Sequence, residues 1–326
     1  MIISRTPFRI SFVGGGTDIR AFYSKEYGQV LSTSIRKYIY VAVKKQSNIA
    51  EYKFRINWNK VEFKNTIDEI EHPIVRETLR LLEIDFPCEI STFSDIPSSS
   101  GLGSSSSFGV GLLHALYALK GQMVTKFQLA KMAAEIEVDI LKRNMGKQDH
   151  YAAAYGDLNV LTFHKNENVS IEPVLVKKEV KKELADNLLL FFTKQTRDAS
   201  DILKTQIRET ANKFDILKSM RELVPRMRDN INEFDLPNVG KIMHENWMLK
   251  KSITSEISSN IIDEYYQKAI DAGALGGKIL GAGGGGFLLF YIEKENQEKV
   301  REVLSDLYPM YIDFDTDGSR ITYFDQ

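Results

Sequence analysis

A segment rich in serine and glycine, residues 95–107, carries the most specific chemical signal in the sequence. Pro97, Gly101 and Gly103 let the backbone turn sharply and approach a ligand closely. The serines that follow are good helix N-caps, and the apolar residues after them predict a buried helix over 104–119. Free N–H groups at the start of such a helix bind phosphate. The alternative, a flexible Ser/Gly linker, is seldom followed at once by a buried helix.

A second glycine-rich segment, residues 281–286, reads Gly-Ala-Gly-Gly-Gly-Gly. It has the Gly-x-Gly-x-x-Gly spacing of dinucleotide-binding loops, which follow a strand and precede a helix. Here a predicted helix at 259–272 comes first and a predicted strand at 287–292 follows, so that interpretation is rejected. A purely structural turn stays open, although four consecutive glycines weaken a fold unless backbone must lie close to another group.

Three carboxylates are candidates for chemistry. Glu137 falls on the apolar face of a predicted helix over 126–143, and burying a carboxylate is costly unless a cation or strong donors compensate it. It is either a salt-bridged core residue or a metal ligand. Asp149 lies near the start of a small-residue helix and could act in catalysis or cap that helix. Asp18 could likewise cap the short helix at residues 19–23.

The composition is that of an ordinary globular protein long enough for two domains: 326 residues, 43% hydrophobic and 27% charged. The net charge of −1 gives no general attraction to nucleic acid or to an anionic membrane. The single cysteine, Cys88, excludes an internal disulfide bond and indicates a reducing compartment. Neither a signal peptide nor an apolar run of about 18 residues is present. We therefore expect a cytoplasmic protein that binds neither nucleic acid nor membrane, of undetermined oligomeric state.

The motifs resemble those of the GHMP kinases, the family of galactokinase, homoserine kinase, mevalonate kinase and phosphomevalonate kinase. Residues 97–105 are similar to the second family signature, Pro-x-x-x-Gly-Leu-Gly-Ser-Ser, and residues 278–286 to the third, Lys-x-x-Gly-Ala-Gly-x-Gly-Gly. Residues 7–18 resemble the first, a strand that leads to a glycine turn and an acidic residue. Gly15 and Gly16 stand where galactokinase and mevalonate kinase carry Glu-His.

This resemblance implies the GHMP kinase fold, an α/β two-domain (α+β) architecture. Its N-terminal ATP-binding domain contains a left-handed βαβ crossover, and its C-terminal domain is ferredoxin-like. We expect the first domain at residues 1–180 and the second at 181–326, with the active site between them. ATP and Mg²⁺ are the implied cofactors.

The resemblance also implies a set of site residues. Asp149 would face the acceptor hydroxyl and take its proton, while Arg9 and Lys147 would offset charge on the transferred group. Mg²⁺ would be held by Ser105 and Glu137. The ATP phosphates would lie on Pro97, Ser98, Ser99, Ser100, Gly101, Leu102, Gly103, Ser104, Ser105 and Ser106. The substrate would lie on Gly15, Gly16, Thr17, Asp18, Arg197, Gly283 and Gly284.

Within the family, residues 14–18, 31–38 and 146–156 look most like the D-glycero-D-manno-heptose 7-phosphate kinases. Those enzymes phosphorylate the anomeric hydroxyl, giving the 1,7-bisphosphate, for nucleotide-activated heptose and surface polysaccharide. The partners expected from this resemblance are ATP and a phosphorylated sugar. A fucokinase-like or galactokinase-like anomeric sugar kinase stays open as an alternative. A non-catalytic sugar sensor is disfavoured because the candidate base and metal ligands are retained.

A phosphate on the sugar would need cations of its own. Residues 192–200 resemble a Thr-Gly-x-x-Arg-x-Ala turn of the heptose kinases, with Lys194 in place of the glycine. Arg197 is therefore the first candidate for this role, followed by Arg20 and Arg36.

Overall fold

The computed structural model describes residues 1–47, 49–195 and 199–325. The strands are β1 (Ile2–Val13), β2 (Gly28–Lys45), β3 (Phe54–Asn57), β4 (Val61–Lys64), β5 (Cys88–Ser94), β6 (Leu158–Phe163), β7 (Val169–Pro173), β8 (Leu188–Phe192), β9 (Gly276–Ile279), β10 (Phe287–Tyr291), β11 (Tyr308–Tyr311), β12 (Phe314–Asp315) and β13 (Arg320–Phe324). The α-helices are α1 (Arg20–Tyr23), α2 (Pro73–Leu81), α3 (Ser104–Leu119), α4 (Lys126–Ala134), α5 (Gln148–Tyr155), α6 (Lys178–Asp186), α7 (Ala199–Glu209), α8 (Phe214–Asn232), α9 (Leu236–Lys251), α10 (Asn260–Asp271) and α11 (Gln297–Val303).

The larger sheet is built around the long antiparallel pair β1 and β2, with the strand order β13-β1-β2-β5-β3-β4. Strands β6 and β7 extend it beside the first half of β2, while β3 and β5 run parallel. Apolar side chains of β1, among them Phe8, Ile10 and Phe12, are fully buried. Helix α3, apolar on almost every side as predicted, packs on β1 and β2 and carries the serine-rich segment at its N-terminus.

The smaller sheet has the antiparallel order β11-β8-β10-β9. Numbered along the chain, these four strands stand in the order 4-1-3-2, with helices between the first and second strands and between the third and fourth. This is the arrangement of a ferredoxin-like domain. After β11 the chain returns to the larger sheet, where β12 pairs with β2 and β13 with β1.

The structure departs from the predicted elements at three places. Helix α6 forms at Lys178–Asp186, where a domain junction was expected. A strand, β9, lies between the helix predicted at 259–272 and the glycine-rich segment at 281–286. The helix predicted over 126–143 ends in a π-helical segment, Glu135–Ile140, and such segments are frequent at functional sites. Within the described ranges, no helix is both long and apolar enough to span a lipid bilayer.

Candidate active site

A cleft of about 1080 Å³ brings together segments that are distant in the sequence. Its walls are the end of β1, the serine loop (residues 97–103), the start of α5, the end of α9 and the glycine run (residues 281–286). The predicted site residues that line it are Arg9, Gly15, Gly16, Asp18, Pro97, Ser98, Ser99, Gly101, Gly103, Ser104, Ser105, Asp149 and Gly283.

The serine loop has the backbone that its sequence predicts. Ser99, Gly101 and Gly103 all have positive φ angles, of 58°, 82° and 80°. Gly103 is the N-cap of α3, so the first N–H groups of that helix open towards the cleft. The buried hydroxyls of Ser100 and Ser106 have no hydrogen-bond partner among the described residues. These polar groups make the loop suited to an anionic ligand.

The glycine run packs backbone to backbone against the serine loop. A Cβ atom added at Gly281 would lie 2.7 Å from Gly101 Cα, and one added at Gly101 would lie 2.7 Å from the Leu280 carbonyl oxygen. A Cβ atom at Gly286 would overlap the Ser100 carbonyl group. The consecutive glycines are therefore needed for close approach of two chain segments, and they fix the position of the serine loop.

Arg9 and Asp149 form the central ion pair of the cleft. Arg9 Nε donates to Asp149 Oδ1 at 2.6 Å and Arg9 Nη2 donates to Oδ2 at 2.7 Å. Arg9 Nη1 also donates to the Gly101 carbonyl oxygen at 2.6 Å, which ties the pair to the serine loop. Asp149 lies in the first turn of α5, but the N-cap is Lys147 and has no side-chain capping bond. The Asp149 carboxylate is thus oriented by Arg9 and does not cap its own helix.

Asp18 is the second carboxylate of the cleft, and only 2% of its surface is exposed. It accepts hydrogen bonds from the backbone N–H groups of Gly16 at 2.9 Å and Gln148 at 3.2 Å. It does not cap α1, whose N-cap, Ile19, has no side-chain capping bond. Burial and the nearby Asp149 charge raise the pKa of Asp18 above its ordinary value. A buried carboxylate beside Gly15 and Gly16 is suited to accept hydrogen bonds from hydroxyl groups.

Gly146 leaves the space that Asp18 occupies, and this allows a test. A Cβ atom at Gly146 would overlap the Asp18 carboxylate, so Gly146→Ala should displace it and raise the KM for the acceptor about tenfold or more, with little change in ATP affinity. Gly109→Ala is the matched control, because a Cβ atom there meets only ordinary contacts at 3.7 and 3.8 Å. Steady-state kinetics with each substrate varied would reveal the difference. An unchanged acceptor KM in Gly146→Ala would remove Asp18 from the acceptor site.

Glu137 lies behind the serine loop and is completely buried. Its Oε2 accepts from Arg143 Nη1 at 2.5 Å, and its Oε1 lies 3.1 Å from His150 Nε2. Burial opposes its ionisation, but hydrogen bonding and charge from His150, the Arg143 charge and the Ser105 hydroxyl outweigh burial and lower the pKa of Glu137. The salt-bridged core position considered from the sequence is therefore present, and the second predicted metal ligand, Ser105, is its neighbour.

Seven predicted site residues of the described chain do not line the cleft: Lys147, Thr17, Ser100, Leu102, Ser106, Glu137 and Gly284. Lys147 donates to Glu167 Oε2 and lies 5.2 Å above the Tyr23 ring, so its ammonium group is not brought to Asp149. Thr17 is fully buried and donates to the carbonyl oxygens of Gly14 and Gln29. Gly284 lies outside the cleft lining. Arg197 falls outside the described residues.

The other two cations considered for a sugar phosphate lie outside the cleft. Arg20 pairs with Glu167 and Asp139 at the surface, and Arg36 is exposed. Neither lines the cleft within the described part of the chain. Lys194, which stands in the place of a glycine of the resembled turn, has a φ angle of 58°, in the left-handed region that glycine favours.

Two buried lysines in the cleft were not predicted as site residues. Lys250 Nζ donates to the Gly281 carbonyl oxygen at 2.6 Å. Lys278 Nζ donates to the carbonyl oxygens of Ser11 at 2.8 Å and Phe12 at 3.2 Å. Lys278 belongs to the third motif and could have been proposed from it, whereas Lys250 lies on a helix face with no signal of its own.

The far end of the cleft is aromatic. The Trp58 and His72 rings lie 4.6 Å apart, and the His72 and Phe108 rings 4.9 Å apart. Burial and the Arg143 charge lower the pKa of His72 to about 4, so this ring is neutral near pH 7. Three neutral ring systems beside the serine loop make a surface on which a flat heterocycle could stack.

Two regions of the chain match the two domains of one protein family. Residues 71–157 match the GHMP kinases N-terminal domain, and residues 227–309 match the GHMP kinases C-terminal domain. The chain belongs to the GHMP kinase family. The predicted two-domain α/β GHMP kinase fold is confirmed. This membership and the similarity to a heptose phosphate kinase together show that the protein is an ATP-dependent sugar kinase, a phosphotransferase whose acceptor is an alcohol group.

The relatives of this GHMP kinase include two sugar kinases of similar length. It is 30% identical to the D-glycero-alpha-D-manno-heptose 7-phosphate kinase of Campylobacter jejuni, over 90% of this chain and 89% of the relative. It is 23% identical to the galactokinase of Pyrococcus furiosus, over 93% of this chain and 92% of the relative. Both alignments span nearly the whole of each chain.

Solved structures support the same fold. The crystal structure of a D-glycero-D-manno-heptose 1-phosphate kinase from Bacteroides thetaiotaomicron superposes with a TM-score of 0.82 at 23% identity, covering 100% of both chains. The galactokinase of Lactococcus lactis with galactose superposes with a TM-score of 0.76 at 17% identity, covering 98% of this chain and 94% of that one.

Proposed function

We propose that this kinase transfers the terminal phosphoryl group of ATP to the anomeric hydroxyl of D-glycero-D-manno-heptose 7-phosphate. The product is the 1,7-bisphosphate, a precursor of nucleotide-activated heptose for surface polysaccharide. The observation that carries the proposal is the Arg9–Asp149 pair, which lies between the serine loop and the pocket beside Asp18. Phosphoryl transfer needs alignment of the two reactants and neutralisation of spreading charge, and this arrangement supplies both.

In the proposed reaction Asp149 orients the acceptor hydroxyl and takes its proton. The sugar oxygen forms a bond to the terminal phosphorus as the bond from that phosphorus to the bridging oxygen of ADP breaks. A carboxylate offers about four lone-pair sites, so Asp149 can hold Arg9 and still accept a proton. Arg9 keeps the carboxylate in place and offsets the negative charge that develops on the transferred group.

The nucleotide phosphates are assigned to the serine loop and the N-terminus of α3, and the adenine to the aromatic end of the cleft. Ser105 and Glu137 are adjacent, as the ligands of one ion must be, and Mg²⁺ commonly needs only one or two protein carboxylates besides the phosphates. Within the described residues no cluster of three or more His, Cys, Asp or Glu side chains is present to hold a metal by itself. Mg²⁺ held by these two residues would neutralise phosphate charge.

The small residues at the acceptor end favour a long sugar. A Cβ atom at Gly15 would have only ordinary contacts at 3.7 Å, with Gln148 and Ser11, so the pocket has room where other family members are expected to carry Glu-His. A seven-carbon sugar with a phosphate extends further from its anomeric carbon than galactose does. The similarity to a heptose 7-phosphate kinase supports the same choice.

The test compares kcat/KM for heptose 7-phosphate, unphosphorylated heptose, fucose, galactose and mannose in a coupled ADP-release assay. We expect the phosphorylated heptose to be used far better than the neutral one, because cations meant for its phosphate would otherwise be left unpaired. Equal use of the two heptoses would refute the phosphate requirement. A preference for fucose or galactose would favour the alternative anomeric kinases.

Glu137 provides a prediction that separates a metal ligand from an ion-pair member. Glu137→Gln should raise the Mg²⁺ concentration needed for half-maximal activity, since a neutral oxygen is a poorer ligand for a hard cation. It should also lower stability by about 3 kcal/mol near pH 7, because Arg143 loses its buried partner. The pKa of folded Glu137 lies below its ordinary value of 4.5, so this stability difference should shrink as the pH falls below that value.

Glu77→Gln is the matched control for this prediction. Glu77 is also a largely buried carboxylate with two arginine partners, Arg76 and Arg80, but it lies outside the cleft. Urea unfolding and Mg²⁺ titration of both variants separate the two effects. If both variants lose stability and neither changes its Mg²⁺ requirement, Glu137 is an ion-pair member only.

The aromatic end of the cleft predicts a fluorescence change. ATP should alter the emission of Trp58, because a base stacked near this ring changes its surroundings. The only other tryptophan, Trp247, is fully buried outside the cleft and serves as the internal control. In Trp58→Phe the ATP-dependent change should disappear while the Trp247 emission remains. An undiminished ATP-dependent change in that variant would mean that the adenine does not stack near Trp58.

A further inference from the structure

Lys250 and Lys278 are held at the same wall of the cleft by different elements. Lys250 is at the end of α9 and Lys278 is on β9, and their exposed surface fractions are only 5% and 3%. Both side chains line the cleft. Each amine donates only to backbone carbonyl oxygens, and neither forms an ion pair with any carboxylate of the described residues.

Neither side-chain amine uses all of its N–H donors within the protein. An ammonium group carries three N–H donors. Lys250 uses one of them on Gly281, and Lys278 uses two on Ser11 and Phe12, within the described part of the chain. The remaining donors are available to a ligand in the cleft, and a bound anion would favour the charged form of both amines. A buried charge without a counter-ion is costly, so an anion that binds here gains more than it would at the surface.

The two arginines of the described cleft already form ion pairs with carboxylates. Arg9 is paired with Asp149, and Arg143 is paired with Glu137. Asp18 is the nearby carboxylate that acts on both lysines through its charge, and its own hydrogen bonds go to backbone N–H groups. Lys250 and Lys278 are therefore the lysine or arginine side chains of the described cleft that are not paired with a carboxylate.

We propose that Lys250 and Lys278 together form a binding site for one phosphate group, separate from the helix N-terminus that follows the serine loop. The phosphate has two possible sources, the terminal phosphate of ATP and the phosphate of the acceptor sugar. The inference depends on the proposed function only in taking the ligands of this cleft to be phosphate esters. It can be tested by binding alone, so it can fail or succeed independently of catalysis.

Phosphate binding between the two lysines should be accompanied by proton uptake. Burial and the Arg9 charge lower the pKa of Lys250 to about 8, with Asp18 opposing them. Burial and the charges of Lys250 and Arg9 lower the pKa of Lys278 well below its ordinary value, again opposed by Asp18. A bound phosphate stabilises the charged amines and raises both pKa values, so binding should take up protons near and above pH 8, where inorganic phosphate is already mostly the dianion.

The experiment is a calorimetric titration of inorganic phosphate into the enzyme saturated with Mg²⁺·ADP. Repeating it in two buffers of different ionisation enthalpy measures the proton uptake. Lys250→Met and Lys278→Met should each weaken phosphate binding about 10- to 100-fold, as expected for loss of a charge-assisted hydrogen bond. Lys126→Met is the matched control, because Lys126 also donates to two backbone carbonyl oxygens but lies outside the cleft.

A second arm identifies the source of the phosphate. Enzyme saturated with an ATP analogue whose terminal phosphate is not transferable should no longer bind inorganic phosphate if the site receives that terminal phosphate. It should still bind phosphate if the site receives the phosphate of the sugar. Absence of phosphate binding to the wild-type ADP complex, or binding without proton uptake, would overturn the proposal even if the variants fail to fold. Unchanged binding in both folded variants would overturn it as well.

Discussion

Replacement of Asp149 by asparagine should remove nearly all phosphoryl transfer and leave the affinity for ATP close to that of the wild type. The amide keeps the size of the carboxylate but cannot take the proton of the acceptor hydroxyl. Loss of a positioned proton acceptor costs about 10²- to 10⁴-fold in rate. The measurement is kcat under saturating substrates, together with ATP affinity from the quenching or enhancement of Trp58 emission.

Asp157→Asn is the matched control for this change. Both Asp157 carboxylate oxygens accept from Lys181 Nζ at 2.7 Å, so it too is a bidentate acceptor, but it does not line the cleft. Its φ angle of 60° is one that asparagine tolerates. This variant should keep wild-type kcat. If Asp149→Asn retains more than about a tenth of wild-type kcat, Asp149 is not the base.

Local sequence signals predicted the turn of the serine loop and the helix N-terminus that follows it. The serines and glycines of residues 97–105 specify a turn followed by a helix N-terminus, and these properties depend on neighbouring residues only. The charge of Glu137 on an apolar helix face predicted that it is buried with compensation, as it is with Arg143 and His150. The family resemblance supplied the fold class, including the ferredoxin-like domain that the strand order confirms.

Contacts between distant segments could not be read from the sequence. The Arg9–Asp149 pair joins residues 140 positions apart, and its bidentate geometry depends on how β1 meets α5. Lys147 stands two positions from Asp149 and was expected to offset charge on the transferred group, but its amine bonds to Glu167. Lys250 looks like a surface lysine at a helix end until the packing of α9 on β9 places it in the cleft. In each case tertiary packing decides which side of an element faces the ligand.

The second large effect is expected from Arg9→Lys, a change that keeps the charge. Arg9 uses a planar fork, with Nε and Nη2 on the two oxygens of Asp149 and Nη1 on the Gly101 carbonyl oxygen. A lysine ammonium cannot reproduce that fork. We expect kcat to fall about 10²- to 10³-fold, as for loss of a positioned transition-state donor. ADP affinity should change much less, since the serine loop is also held by the glycine run.

Arg55→Lys is the control. Arg55 Nη1 donates to Glu89 Oε1 at 2.6 Å, and because this pair lies outside the cleft, its replacement should leave kcat unaffected.

The double variant Arg9→Lys, Asp149→Asn gives the sharper result. Arg9 is proposed to act partly through the Asp149 carboxylate, so the two losses should not multiply, and the double variant should be little slower than Asp149→Asn alone. Fully multiplicative losses would mean that the two residues act independently on the reaction, and the ion pair would then have no role in positioning the base.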